Sequence, residues 1–533
     1  MSANQSYPNE FAAALLQNDE FIKGIATKIG KADTIDQSLG LLWYDLSPIV
    51  QLLYPFKELI PLISRLPRVP GDGGNAFHWM RITAVNVNNV SVGVSEGNRG
   101  GGIAISLQDQ QASYKTLGLE SSVSFEARLG AMNLMPDALG NAVQSTLRSV
   151  MIGEEQTLVL GNASTTLGTT PTPTLVASGT GSTLTAVATY VACVALSGLG
   201  WLSSNVTTGV PGQITRTNTD GSVDTFGGGS AAPSALASIT PTAGNQITAT
   251  VAPVTGAVAY AWYIGTGGTT QTTYLKAITQ GTQFVFNALA PSTNQPLSAL
   301  PGTDQSVNSL LPDGILSQIY GSVFGPAPGT TMATNPNLPP PVNTGDTISL
   351  ASSGSIIYRS VAGNKGLTIS GTNIEEFDVV LRAAYDQYKL GFDRVLMSAT
   401  DIANFMGSML GQNAAAQFRI FFDADAETGR IVAGRRVTSY LNKFMGNTLD
   451  IEIHPFVPPG TIIFWSDRVP YELSGVPNIL EAHVRMDYYQ IQWPFRSRRY
   501  EYGVYSDEVF ACYFCPAFAL ITGLNGTNGP PSS

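Results

Sequence analysis

LLWYDLSPIVQLLYPFKELIPLISRLPRVPGDGG, residues 41–74, is the stretch whose reading decides the fold. It is rich in Leu, Ile and aromatic residues, yet Pro48, Pro55, Pro61, Pro67 and Pro70 interrupt it. A proline removes a backbone donor and clashes with the preceding turn, so no long helix can form here and no strand ladder can run through. What remains is an apolar arm that needs another surface to lie on. Upstream, Phe11, Leu15, Leu16, Phe21 and Ile25 fit a short helix or two.

Downstream, Ala76 to Val85 and Ile103 to Arg128 read as strands, the second with Val123, Phe125 and Ala127 opposed by Ser122, Ser124 and Glu126. Between them VSVGVSEGNRGGG, residues 90–102, has glycines at 93, 97, 100, 101 and 102 and forms a flexible tip. The unit is a long two-stranded hairpin, marginal in water by itself, so it is expected to dock on something else. Asp137 to Leu160 is a helix with Leu139, Val143, Leu147, Val150, Glu154 and Leu158 along one face, Pro136 at its start and Gly161-Asn162 as its stop. Gly140 and Gly153 each weaken it by about 1 kcal/mol against alanine, and bending is expected at Gly153.

A composition break follows. From Ala163 to Tyr358 the only charged side chains are Arg216, Asp220, Asp224, Lys276, Asp304, Asp313 and Asp346. Short β-like runs (ATYVACVAL, ITATVAPV, AVAYAWYIG, TQFVFNAL) alternate with glycine-rich turns, the pattern of a β-sandwich with Trp262 as a core aromatic. The apolar run from Thr185 to Leu202 reads as a buried strand ending in a turn, because Thr, Ser and Gly interrupt it and no basic residues flank it as they would a membrane span. Beyond the break, Asn373 and Glu376 have capping-box spacing for a helix whose apolar face is Ile374, Phe377, Leu381, Ala384 and Tyr388. Val395 to Ser398 is a buried strand, Asp401 to Leu410 a helix, Arg436 to Trp465 strands turned by VPPG at 457–460, and Arg485 to Thr522 more strands. The compact part is α+β.

Whole-chain numbers narrow the function. The 533 residues suffice for several cores. With 28 basic and 38 acidic residues the net charge is -10, the wrong sign for gripping phosphate over a whole surface and the right one for enclosing DNA without holding it. Only 12% of residues are charged, against about 25% in ordinary soluble domains, so much of the surface is neutral and suits burial against neighbouring subunits. Three cysteines make no disulfide framework, and MSANQSYPNEF has neither a basic start nor an apolar core, so a cytoplasmic site of synthesis is expected.

The order of parts, together with YPFKELIPLISRLPRVPGDGG, GVSEGNRGGG, SVSFEARLGA, EEQTLVLGN, HPFVPPGTIIFWSDRVPY and MDYYQIQWPFRSRRYEYGVYSDEV, resembles the HK97-like major capsid proteins of tailed bacteriophages. The similarity spans residues 36–162 and 359–523; the segment between resembles immunoglobulin-like or fibronectin-type domains. The resemblance implies an N-terminal arm at 1–70, an E-loop hairpin at 71–130 and a P-domain with its spine helix at 131–162 and 359–400. It further implies an immunoglobulin-like insertion at 163–358, an A-domain at 401–500, and C-terminal strands and tail at 501–533. It also implies self-assembly into hexamers and pentamers of an icosahedral shell around double-stranded DNA, without sequence-specific DNA binding and without a membrane. Implied partners are a separate scaffolding protein, since only residues 1–33 precede the arm's apolar run, a portal and decoration proteins; the implied location is the virion capsid, assembled in the bacterial host cytoplasm. No crosslinking lysine and asparagine pair is carried over. An encapsulin-type compartment shares the fold and is the alternative; a surface adhesin built on the insertion is more distant, given the missing leader.

Four motifs were weighed for chemistry. Gly93-Val94-Ser95-Glu96-Gly97 fits G-x-S-x-G, but Asn98-Arg99-Gly100 follows where a nucleophile elbow needs a helix, and only His78, His454 and His483 are available as base. Cys512-Tyr513-Phe514-Cys515 is a C-x-x-C without further zinc ligands, so it reads as buried thiols. Asp423 to Gly429 begins like a calcium loop, yet its glycine falls one place late and the twelfth position is Gly434. Arg485, Arg496, Arg498 and Arg499 interleave with Tyr488, Tyr489, Trp493 and Tyr500, a composition that suits subunit interfaces better than single-stranded nucleic acid. No acid, base and nucleophile constellation survives, so no enzyme is expected and no catalytic, cofactor-binding or metal-binding residue is assigned.

Overall fold

A computed structural model describes residues 42–45, 60–71, 73–84, 92–100, 106–130, 138–321, 338–360, 366–370, 373–413, 423–424, 431–432, 438–467, 478–495 and 497–524. Thus the expected N-terminal helices lie outside the described residues. The chain divides into two compact units: residues 1–60, 116–152 and 486–507 form the first, residues 61–115, 153–485 and 508–533 the second. The division passes through the helix Ala138–Leu160 between Ile152 and Gly153.

In the first unit Leu42–Asp45 pairs antiparallel with residues 489–492, and Lys115–Ser124 is the neighbour of Arg499–Cys512 in the same sheet. Val143, Leu147, Val150 and Met151, on one face of the helix, pack with Tyr488, Tyr502 and Val504 of the strands. The single strand expected from Ile103 to Arg128 is two in different sheets, Ser106–Ser113 and Lys115–Ser124; the second stops at Ser124, and Phe125–Gly130 is a short helix. The reason is local. The Ser124 hydroxyl accepts the Ala127 N–H at 3.1 Å, a capping bond that competes with the ladder.

The second unit contains a seven-stranded sheet in the order Thr347–Leu350, Ile356–Arg359, Phe518–Thr522, Ile462–Trp465, Arg394–Met397, Thr448–Ile453, Ser439–Leu441. The helix Glu375–Tyr388 buries the anticipated face, Phe377, Leu381, Ala384 and Tyr388, with Ile374 just before it. Its start differs from the capping box: Asn373 does not cap, and the Glu376 carboxylate instead accepts the Thr368 N–H at 2.8 and 3.0 Å. A long-range bond has displaced the local one. At the far end Lys389 adopts φ 54°, and its N–H closes onto the Ala384 and Tyr385 carbonyls, a left-handed cap without glycine.

The charge-poor segment holds two antiparallel sheets. One runs Ala237–Ile239, Thr189–Leu196, Ala259–Gly265, Thr273–Thr279; the other Gln283–Phe286, Gln246–Thr250, Thr174–Ser178. Val191, Cys193, Tyr260, Trp262 and Ile264 meet Ile247, Ala249 and Phe286 between the sheets, and Trp262 donates its indole N–H to Thr279 Oγ1 at 2.8 Å. The opposite face of the first sheet is covered as well: Ala192, Val194, Ala261 and Tyr263 pack against Trp201, Val210, Leu297 and Leu300. Strands buried on both faces read as continuous apolar runs, which is why Thr189–Leu196 and Ala259–Gly265 lack both charge and clean alternation. The Thr185 to Leu202 run is accordingly the strand Thr189–Leu196 and a short helix, Gly198–Leu202. Among the described residues no helix is long and apolar enough to cross a membrane.

Composition misplaces where the chain returns to the body. Gly314 N–H donates to Gly161 O at 2.9 Å, and Asp313 Oδ1 accepts the N–H groups of Ala163 and Ser164, so entry and exit of the insertion touch. The strands Thr347–Leu350 and Ile356–Arg359, still within the charge-poor stretch, belong to the seven-stranded sheet. Buried core looks alike on both sides of Gly314. A Cβ at Gly161 would sit 2.4 Å from Pro312 O and one at Gly314 2.5 Å from Thr157 O, so the junction depends on these two glycines. Replacing residues 163–313 with a short Gly-Ser linker is expected to leave a chain that unfolds cooperatively by circular dichroism; an insoluble or non-cooperative product would contradict this junction.

Candidate functional site: the tethered arm and the hairpin

Glu154 and Glu155, both fully buried, continue the apolar face of the long helix. Glu155 Oε1 accepts the Leu62 N–H at 2.9 Å and Oε2 the Ile63 N–H at 2.8 Å, while His454 Nε2 lies 2.7 Å from Oε1. Because His454 Nδ1 accepts the Phe456 N–H, the network assigns the ring proton to Nε2. Arg68 bridges Glu154 and Glu508, at 2.5 and 3.3 Å. These bonds hold the end of the arm: Leu62, Ile63 and Leu66 are buried, and Arg68–Pro70 pairs parallel with residues 482–484. Residues 61–70 therefore lie on their own chain, where the sequence led us to expect a foreign surface. The rest of the arm, apart from Leu42–Asp45 and Ile60, lies outside the described residues.

Ala76–Ala84 and Ser106–Ser113 form the hairpin, a sheet of two strands among the described residues. Its faces alternate with the strand period. Trp79 and Arg81 point inward and are buried, whereas Met80, across from Asp109, is 58% exposed. The inward face sits on the strands Leu480–Gln492 and Arg499–Cys512: Phe77 stacks on His483 at 3.8 Å between ring centroids and Trp79 Nε1 donates to Cys512 O at 2.9 Å, while along the strand edge the Ile82 N–H donates to Tyr513 O. Outward, Leu107 is also 58% exposed, and in the tip Val92 is 84% exposed.

The weighed motifs disperse. Ser95 lies in a turn closed by Asn98 N–H to Ser95 O, Gly97 has φ +83°, and no helix begins by Gly100; His454 is engaged with Glu155 and His483 with Tyr513. Asp423–Ala424 pairs with Ile431–Val432, and the remainder of the calcium-like turn lies outside the described residues, among which no acidic or histidine cluster would hold a metal. Tyr488 is core, Arg485 lies over the Tyr114 ring, Arg498 pairs with Glu126, and Arg128 lies over Tyr500; Arg496 is outside the described residues. That spread gives no continuous stacking platform. The cysteine pair stays together, with Cys515 Sγ 2.9 Å from Cys512 Sγ, both buried.

Sequence reading passed over Asp401. It accepts the Gly460 N–H on both oxygens, at 3.0 and 2.9 Å, and the Ser398 hydroxyl, joining the start of the helix Ala399–Asn413 to the VPPG turn, where Gly460 has φ +76°. Burial pushes its carboxyl up to about 6, against the opposing pull of these hydrogen bonds.

No family model matches the chain, and no curated protein matches it. Solved structures similar to it include the capsid of cyanophage A-1(L), at 9% identity, covering 88% of this chain and 93% of the other with a TM-score of 0.39. The capsid of Myoviridae phage XM1 is 10% identical over 87% of this chain and 92% of its own, with a TM-score of 0.35. The capsid of the native GTA particle is 8% identical over 87% and 90%, also with a TM-score of 0.35.

Arg68→Met leaves Glu154 and Glu508 buried without that guanidinium and is expected to cost about 3–5 kcal/mol in urea unfolding; a loss near zero would show that the bridge is not a constraint. Asp401, whose folded pKa lies above its unfolded value, favours folding when protonated, so its contribution is present below about pH 4 and lost as pH rises through about 6. Asp401→Asn is expected to flatten the stability profile between those values, measured by denaturation across pH; an unchanged slope would contradict the assignment.

Proposed function

We propose that the chain is a shell subunit, the major capsid protein of a tailed bacteriophage, and that its function is assembly. The observation supporting this most strongly is the hairpin: its strand Ser106–Ser113 pairs with no further strand among the described residues, and Met80, Leu107 and Val92 are exposed. Open edges and apolar tips are aggregation hazards in a monomer and become useful when a second copy covers them. The neutral, weakly charged surface fits burial between subunits. A net charge of -10 fits a container whose DNA must enter and leave.

On this reading the arm, hairpin and long helix are the family's N-terminal arm, E-loop and spine, and copies close into hexamers and pentamers through heterologous contacts. A scaffolding protein and a portal are partners of the same assembly. The insertion is immunoglobulin-like: Thr174–Ser178 with Gln246–Thr250, Thr189–Leu196 with Ala259–Gly265, and Ala259–Gly265 with Thr273–Thr279 reproduce the B–E, C–F and F–G pairings of that fold. Gln283–Phe286 takes the D position although it follows the G strand in sequence, and the core tryptophan is on the F strand, two departures from the antibody pattern.

Deleting residues 91–102 is expected to leave a subunit with normal thermal unfolding that sediments as unassembled material; shells at the full-length yield would overturn the reading. Particles filled with a cargo protein and no DNA would replace it with an encapsulin-type compartment.

A further inference from the structure

We propose that Cys512 and Cys515 form a redox-active dithiol, shielded by the hairpin, that takes part in thiol–disulfide exchange with low-molecular-weight disulfides. The geometry comes first. The sulfurs lie 2.9 Å apart, and the backbone on both sides is pinned: Cys512 O accepts the Trp79 indole N–H, and Cys515 O accepts the Ser355 hydroxyl at 2.6 Å. Pinned carbonyls keep the two thiols facing each other.

The second observation is Arg81. It is 2% exposed, its Nε has no hydrogen-bond partner, and no carboxylate pairs with it among the described residues. A buried guanidinium needs an anion nearby. Its charge acts on both sulfurs, and a thiolate at the pair supplies the missing counter-charge. Burial opposes ionisation at each, but at Cys515 the hydrogen bond from Cys512 and the charge of Arg81 outweigh it, so that thiol is held below the ordinary range. Burial drives Cys512 the other way, well above it. Proton loss is thus favoured at Cys515 over Cys512, the asymmetry that makes a C-x-x-C nucleophilic.

The exchange balances without a metal. Cys515 thiolate attacks a disulfide RSSR, forming Cys515–S–S–R and releasing RS⁻. Cys512 gives its proton to that thiolate, and its sulfur then attacks Cys515 Sγ and expels the second RS⁻. Two protein thiols are oxidised to one disulfide and RSSR is reduced to RSH and RS⁻. Both cysteines are buried and the Trp79 indole is bonded to Cys512 O, so opening of the hairpin sets the rate.

The test uses the full-length protein with oxidised glutathione, followed by unfolding, alkylation and peptide mass mapping. Two of the three thiols are expected to be lost to a Cys512–Cys515 disulfide, leaving Cys193, a buried core thiol whose pKa burial raises, fully alkylated. Cys512→Ser is expected to trap glutathione on Cys515; Cys515→Ser traps none. Trp79→Phe, which lacks the bond to Cys512 O, is expected to react faster, and Arg81→Met about tenfold slower through the lost thiolate stabilisation. The proposal is overturned if Cys512 and Cys515 remain as alkylatable as Cys193 in both the wild type and Trp79→Phe, or if Cys512→Ser traps no adduct.

Discussion

The buried carboxylates of Glu154 and Glu155 are the constraint on which the second unit depends. Charges removed from water this completely persist only when paired and hydrogen-bonded. Here the partners come from far along the chain: the Leu62 and Ile63 amides, Arg68, and His454. One turn of helix therefore fixes the arm's end. From there the chain passes through Arg68–Pro70 into the hairpin, which Trp79 and Ile82 join to Cys512 and Tyr513 at the end of the strand Arg499–Cys512.

The insertion follows a different physics. Its central strands are buried on both faces, so it needs almost no charge and owes its cohesion to apolar packing around Trp262 and Tyr263. Because Gly161 and Gly314 bring its ends together, it adds to the body without stretching it. A domain attached through two adjacent points is the arrangement in which insertions are tolerated.

Local patterns were the legible part. The helix over 138–160, the first hairpin strand and the apolar face of 375–388 follow from periodicity, and the C-x-x-C stays a buried pair; the strand expected over 103–128 divides at Tyr114, and only Ser106–Ser113 belongs to the hairpin. Glu154 was visible on an apolar helix face, a signal of buried charge, but its partners Arg68 and Glu508 are distant in sequence and no spacing rule links them. The Asn373 cap failed for the same reason, since Glu376 found Thr368 instead. Composition set the insertion's far edge too late because the sheet strands Ile356–Arg359 and Thr347–Leu350 are as charge-poor as the sandwich before them. Asp401 carries no motif; only the turn at Gly460 reveals it.

The central claim is that a second copy of the chain covers the hairpin's outer strand, Ser106–Ser113, and its exposed Met80 and Leu107. Electron microscopy of the purified full-length protein, taken to a resolution that traces strands, tests it most directly. The account predicts closed shells in which density from a neighbouring subunit lies against Ala76–Ala84 or Ser106–Ser113; monomers alone, or particles whose hairpins face solvent, would contradict it.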